Sequence, residues 1–422
     1  MRPAARPPRP VPGADPSGLS IRRNTALLAA ALAVYSTVLQ LVAAVSSLTF
    51  VLVTGIEGLL GLGPAIFLTS SALTALPAGR MMDRAGRRPV IAGGFAVGAV
   101  GCCLTALATR TGSSLAVIAG FALVGAASGI ALLIRTAAGD MYEAQRRARG
   151  ISYVLFGSAF GGILGPAVFG PLFAGRPVEL GALTAPWLAA AAVSLVAVAL
   201  VLLIRPDPLR IAEALGGRQE PAGAAAPAAA LSEILRRPGV VPALMAALAS
   251  FGVMVSVMNL TGYVVVEHHH HSQQSVFPII GAHVVGMFGL VLVVGAIIDR
   301  VGRTASLAAG LLVMAASTLA MLWVQSVVGT AILLFGLGVG WNFSFVAATA
   351  QLTDSTSPAE RGKLLGFNDL VAALLGAALA LLGGFALDAI GVAALAIGAT
   401  VIAAAPLVWI LRPARRAGRA GR

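Results

Sequence analysis

The sequence predicts an all-α integral membrane protein, with twelve transmembrane helices in two pseudo-symmetric six-helix bundles. Three observations predict it. First, 58% of the 422 residues are apolar and only 11% are charged. That is too little charge for the wetted exterior of a soluble protein. Second, the apolar residues fall in runs of roughly 20, which at 1.5 Å rise per residue match a hydrocarbon layer ~30 Å thick. Third, a charged stretch from Gly79 to Pro89 returns from Gly295 to Arg303. Gly79 matches Gly295, Asp83 matches Asp299, Arg84 matches Arg300, Gly86 matches Gly302, and Arg87 matches Arg303; Arg88 extends the first copy. A fixed internal period of this kind marks two copies of one architectural unit.

Inside hydrocarbon every backbone N–H and C=O must bond within its own segment, so the apolar runs are helices. The 50 glycines fit this, because small residues let membrane helices approach closely. A net charge of +13 would suit nucleic acid, but its placement speaks for a lipid bilayer instead. On the twelve-span reading all of the 29 Lys and Arg residues except Arg110 and Arg176 lie on one side. That asymmetry places both termini in the cytoplasm and the chain in the plasma membrane. The adjacent Cys102 and Cys103 sit in an apolar run and read as small core residues, since neighbours rarely meet disulfide geometry.

Taken in order, residues 1–23 read as a disordered cytoplasmic tail, with Pro and Arg but no hydrophobic run. Residues 24–204 hold the first bundle. Its first span carries Ser36, Gln40 and Ser47 on one helical face. In lipid such a stripe faces a partner helix or a watered cavity. The second span ends at the Gly79–Pro89 stretch, read as a short charged turn, and Pro89 opens the third at a first-turn position. The fourth is closed by Arg135 and Asp140, with Arg147 seven residues further on. The second half repeats that spacing with Asp354 and Arg361, so the internal repeat covers at least four helices per half.

The two charged stretches resemble the loop between the second and third helices of major facilitator superfamily transporters and its degenerate copy between the eighth and ninth. The resemblance implies a twelve-helix carrier in which these residues gate the cytoplasmic side. In particular it implies that Asp83 and Arg87 pair, with groups near Asp140, when that side is closed. The fifth span carries Gly157, Gly161, Gly165, Pro166 and Gly170, similar to the glycine-rich motif of proton-coupled exporters in this superfamily. Phe169 stands where that motif prefers glycine. The fourth span has Phe121 and Val124 beside Gly125, where such exporters often carry Arg-x-x-Gln-Gly.

Residues 205–239 read as the linker between halves, flexible in its Ala/Gly/Pro-rich middle, with Leu231, Ile234 and Leu235 forming a short interfacial helix. Residues 240–411 hold the second bundle, and 412–422 a basic tail. Asn259 is the one strongly polar residue in the middle of the seventh span. His268–His271 follow it in an outer loop. Neighbours on a helix point ~100° apart, so we read them as solvated and expect no metal site. His283 in the eighth span, and Asn368 and Asp369 in the eleventh, lie well inside the apolar runs. So do Trp341 and Asn342 in the tenth. Ionisable groups at that depth cost about 3 kcal/mol unless paired or wetted, which makes Asp369 and His283 functional candidates. Gly340-Trp341-Asn342-Phe343 with Asn368-Asp369 resembles a bacterial subgroup of the superfamily that includes riboflavin and organic-solute carriers.

The sequence holds no phosphate-binding Gly-x-x-x-x-Gly-Lys-Ser/Thr, no Gly-x-Ser-x-Gly elbow and no His-Glu-x-x-His. The reading is therefore a non-enzymatic, cofactor-free monomer. It moves a small organic molecule by alternating access, driven by protons, with efflux favoured. Uptake of a vitamin-like or aromatic solute is the alternative, and a transporter-derived receptor or scaffold the reading from another class.

Overall fold

A computed structural model describes residues 19–142, 146–175, 179–216, 229–356 and 358–410. Residues 1–18, the basic tail 412–422 and the middle of the linker lie outside the described residues, as do the side chains of Arg147, Asp299 and Arg361. Twelve helices are long and apolar enough to cross a membrane: α1 (Ser20–Thr54), α2 (Glu57–Ala85), α3 (Arg87–Thr111), α4 (Ser114–Asp140), α5 (Gly150–Phe173), α6 (Leu180–Leu202), α7 (Val240–His268), α8 (Gln273–Gly295), α9 (Arg303–Ala320), α10 (Val327–Asp354), α11 (Lys363–Ile390) and α12 (Val392–Ile410). No strand occurs among the described residues.

Local chemistry sets several ends. Ser113 and Ser326 cap α4 and α10, accepting hydrogen bonds from the amides of Ala116 and Gly329. Gly112 ends α3 in the left-handed conformation that glycine adopts without penalty.

The charged stretch differs from its expected form. It is not a turn of several residues: α2 continues through Arg80, Asp83 and Arg84 to Ala85, and α3 starts at Arg87. Gly86 alone makes the reversal, at φ 97°, and Gly302 does the same in the second half at φ 95°. A residue with a Cβ is strained there. Charged side chains near a helix end do not force the backbone out of a helix, because they extend toward the polar layer while the main-chain bonds stay internal.

Packing repeats between the halves. In the first, α1 lies on α5, α2 on α4, and α3 on α4 and α6; in the second, α7 lies on α11, α8 on α10, and α9 on α10 and α12. The most apolar windows of α1 and α7 are each 78% buried and that of α12 only 33%, so α1 and α7 are central and α12 peripheral. Aromatic pairs fill the first bundle, with Tyr35 stacked on Phe95 at 4.5 Å and Phe121 edge-on to Trp187 at 5.6 Å.

The halves meet along α5 with α8, α2 with α11, and α1 with α7. At the end remote from the signature stretch this interface is close. A Cβ on Gly262 of α7 would stand 2.2 Å from the Ala44 carbonyl of α1, and one on Gly384 of α11 only 2.3 Å from the Gly61 amide. Phe277 of α8 packs on Phe169 and Phe173 of α5 at 6.0 and 5.3 Å. Phe169, which departs from the exporter motif, thus belongs to the contact that closes this end.

Candidate functional site

The signature cluster is built on the Gly86 reversal. Because the chain turns in one residue, Arg87 begins α3 directly beside the last turn of α2. Its guanidinium is buried and meets three groups: Asp83 at 3.1 Å, Asp140 of α4 at 2.7 Å, and the Met82 carbonyl at 2.8 Å. Asp83 is 71% exposed whereas Asp140 is 21% exposed, so the Asp140 contact is the better shielded ion pair. The second half forms the equivalent pair, Arg303 to Asp354 at 3.2 Å.

All partners of the Arg87 guanidinium belong to its own half. The pairing of the guanidinium is thus internal to the first bundle.

The interface between the halves carries an ion pair that the sequence reading missed. Arg135 of α4 donates from Nη2 to Asp369 Oδ2 of α11, joining the two halves. Both side chains are a little over one-third exposed, so the pair is wetted. It lies toward the signature end, five residues from the end of α4. Asn368 stands beside it, with Nδ2 3.3 Å from Asp369 Oδ1. An arginine inside an apolar run and an aspartate inside another were the available signal; their partnership was not.

The remaining candidates divide by what satisfies them. The Asn259 side chain donates from Nδ2 to the Val255 carbonyl of its own helix, and the main-chain carbonyl of Asn259 accepts from Ser47 Oγ of α1. His283 is fully buried, and its Nδ1 lies 2.8 Å from the Leu334 carbonyl of α10. A carbonyl only accepts, so Nδ1 carries the proton. His283 is thus tied between α8 and α10, with Nε2 buried and unpartnered.

Gln40 is buried on α1 with neither amide atom partnered, and both amide atoms of Asn342, the indole nitrogen of Trp341 and Asn368 Oδ1 are likewise unsatisfied. Buried polar atoms without partners cost about 1–3 kcal/mol each, so water or a ligand is expected to complete them. Trp341 stacks on Phe345 at 4.8 Å and lies edge-on to Phe288 of α8 at 5.9 Å.

The fifth-helix glycines serve contacts. Cβ atoms at Gly157, Gly161 and Gly165 would meet the Ala29 carbonyl at 2.4 Å, the Ser36 side chain at 2.4 Å and the Gln40 side chain at 2.6 Å. Gly281 of α8 approaches Pro166 from the other half. Gly170 meets nothing within 4 Å.

In the turn between α7 and α8, His271 Nε2 lies 2.8 Å from the Gln325 carbonyl and the His268 ring packs on Tyr263. Burial, reinforced by the neighbouring imidazoles, holds His269 below the usual histidine range. No cluster of metal ligands occurs among the described residues.

Comparison with known proteins decides the family. The sequence model of the Major Facilitator Superfamily matches residues 24–380 and 282–421. The chain belongs to this superfamily. It is 32% identical over 329 residues to YdeG, an uncharacterised MFS-type transporter of Bacillus subtilis, covering 77% of this chain and 76% of that protein. It is 29% identical over 350 residues to RfnT, a riboflavin transporter of Brucella anthropi, covering 83% and 85%. Among solved structures it resembles the xylose transporter XylE of Escherichia coli in a partially occluded inward-open conformation. The TM-score is 0.70 at 13% identity, over 93% of this chain and 98% of that one. The human organic anion transporter MFSD10 gives a TM-score of 0.63 at 17% identity, over 92% and 99%. The fold is that of the superfamily, and the chain is a multi-pass membrane transporter for a small molecule.

Proposed function

We propose that this transporter is a secondary carrier for an uncharged, partly aromatic organic solute, coupled to protons through Asp369 and Arg135. The ion pair between the halves carries the reading. Alternating access requires contacts that join the two bundles in one state and part in another. A wetted pair of this kind adds only about 0–1 kcal/mol to stability, so it breaks without great cost. Protonating Asp369 removes the charge that holds Arg135, which links proton binding to movement of one half on the other. The solute class follows from what surrounds the site. Among the described residues the other charged side chains of the spans lie near their ends, whereas Gln40, Trp341 and Asn342 offer buried, neutral donors and acceptors. Phe288, Trp341 and Phe345 supply ring faces and edges. Riboflavin, named for the Brucella relative, has this chemistry: a planar ring system with polar edges and no net charge.

In this reading the signature end is cytoplasmic, as are both termini, and residues 24–204 and 240–411 are the moving halves of a monomer with no enzymatic step. Exchange of solute outward for protons inward is the direction we favour from the fifth-helix motif. Riboflavin counterflow in proteoliposomes tests the carrier, with riboflavin 5′-phosphate as the charged control on the same ring. We expect counterflow with riboflavin and little with its phosphate. Accumulation driven by an imposed pH gradient should be abolished by Asp369→Asn while counterflow survives. Accumulation that persists in Asp369→Asn removes the coupling role, and absence of counterflow across a panel of neutral aromatics favours the receptor or scaffold reading.

A further inference from the structure

The first residues of the linker are fastened to the signature cluster by one carboxylate. Asp207 Oδ1 accepts from the Arg87 amide at 3.1 Å, and Oδ2 from the Arg88 amide at 2.8 Å. The same Oδ1 accepts from the Leu209 amide at 2.8 Å, at the start of the linker helix Pro208–Gly216. One side chain thus caps two helices, α3 and the linker helix, each of which presents unpaired amides and positive dipole at its start. Pro208 suits this arrangement, since the first helical position has no need of an amide hydrogen.

The carboxylate is held in place from the other side. Arg205 N donates to Asn24 Oδ1 at 3.3 Å, Asn24 Nδ2 donates to the Pro206 carbonyl at 3.0 Å, and Arg23 donates to the Arg205 carbonyl at 2.7 Å. Asn24 is fully buried. The chain entering the linker is therefore pinned to α1 immediately before Asp207.

Comparison of the two halves separates this device from the repeated motif. Gly86 and Gly302 hold nearly the same conformation, but a Cβ on Gly86 would come to 2.8 Å of Asp207 Oδ2, whereas one on Gly302 meets nothing within 4 Å. The first glycine serves two needs, a positive φ and room for the carboxylate; the second serves only the φ.

We propose that Asp207 is a positioning residue for the signature cluster. It fixes the first amides of α3 and through them the guanidinium of Arg87, which bridges α2 and α4. The linker is then part of the gate and not only a tether between halves. This rests on the signature cluster taking part in the conformational cycle, and the experiment tests that separately.

A reporter that needs no cargo is available at Gly366 of α11, one turn from Asp369, where an added Cβ meets nothing. In the full chain carrying Cys102→Ser, Cys103→Ser and Gly366→Cys, the rate of alkylation by a charged maleimide reads opening of the signature end. Asp207→Asn should raise that rate about fivefold, Arg87→Lys should raise it similarly, and the double variant should add little, as expected for residues acting through one another. An unchanged rate in Asp207→Asn overturns the proposal while leaving the cluster's role intact. An unchanged rate in Arg87→Lys overturns both. Multiplying effects in the double variant make Asp207 an independent anchor. Gly86→Ala and Gly302→Ala give a second measurement with matched backbone strain. Gly86→Ala, which displaces the carboxylate, should raise the rate beyond Gly302→Ala, and equal effects overturn the assignment.

Discussion

At the scale of single residues, the signature cluster separates stability from transport. Asp83 touches Arg87 at 3.1 Å but is 71% exposed, and an ion pair that open to water contributes about 0–1 kcal/mol. Asp83→Asn should accordingly insert and melt as the parent does. If the cluster gates, its turnover should nevertheless fall to background, because the amide no longer balances Arg87 as the helices rearrange. Turnover equal to the parent, at matched expression, would remove the gating role of Asp83. Asp83, Arg87 and Asp140 were singled out by the repeated motif and the seven-residue spacing to Arg147, and their meeting was implied by the family resemblance. Arg135 and Asp207 were not. Their partners lie 234 and 120 residues away in the chain, and only packing brings them together. Arg135 could be read as a helix-end arginine and Asp207 as one more linker charge, and nothing local distinguishes those roles from the observed ones.

At the scale of elements, glycines decide how near two helices come, and the contacts predict which substitutions matter. Gly157 lies within the first bundle against the Ala29 carbonyl, so Gly157→Ala forces α5 off α1 and should cost about 1–3 kcal/mol, read as a lower melting temperature. Gly262 lies between the halves against the Ala44 carbonyl. Gly262→Ala should leave each bundle sound and instead hold the remote end apart, raising alkylation of a cysteine placed there and slowing transport. Gly170→Ala, with open space around it, is the neutral control. If Gly170→Ala and Gly262→Ala behave alike, the close contact at the remote end does not limit the cycle. The spans themselves were largely legible, because hydrocarbon thickness and backbone hydrogen bonding dictate long helices. The signature stretch was misread as a turn because its charges look like a loop. In the structure they decorate the end of α2, and a single glycine makes the reversal.

At the scale of the whole molecule, the pattern of basic residues predicts the orientation of the carrier. The signature ends of the helices carry Arg22, Arg23, Arg80, Arg84, Arg87 and Arg88 in the first half, and Arg300, Arg303 and Lys363 in the second. At the remote end of the described residues the only arginine is Arg110, at the end of α3. Moving one charge through the membrane potential costs about 2.3 kcal/mol per 100 mV, so inverting the molecule would carry a large electrostatic penalty. The even number of spans then puts both termini on the side of the signature cluster. Tags on either terminus should resist protease in right-side-out vesicles and be cut in inverted ones. A reporter inserted at His268–His271, between α7 and α8, should show the reverse. The same vesicles test the direction of drive, since an acid exterior pushes protons through Asp369 only in one sense. A C-terminal tag accessible from outside would refute the orientation, and with it the assignment of the Arg135–Asp369 pair and the Asp207 clamp to the cytoplasmic side.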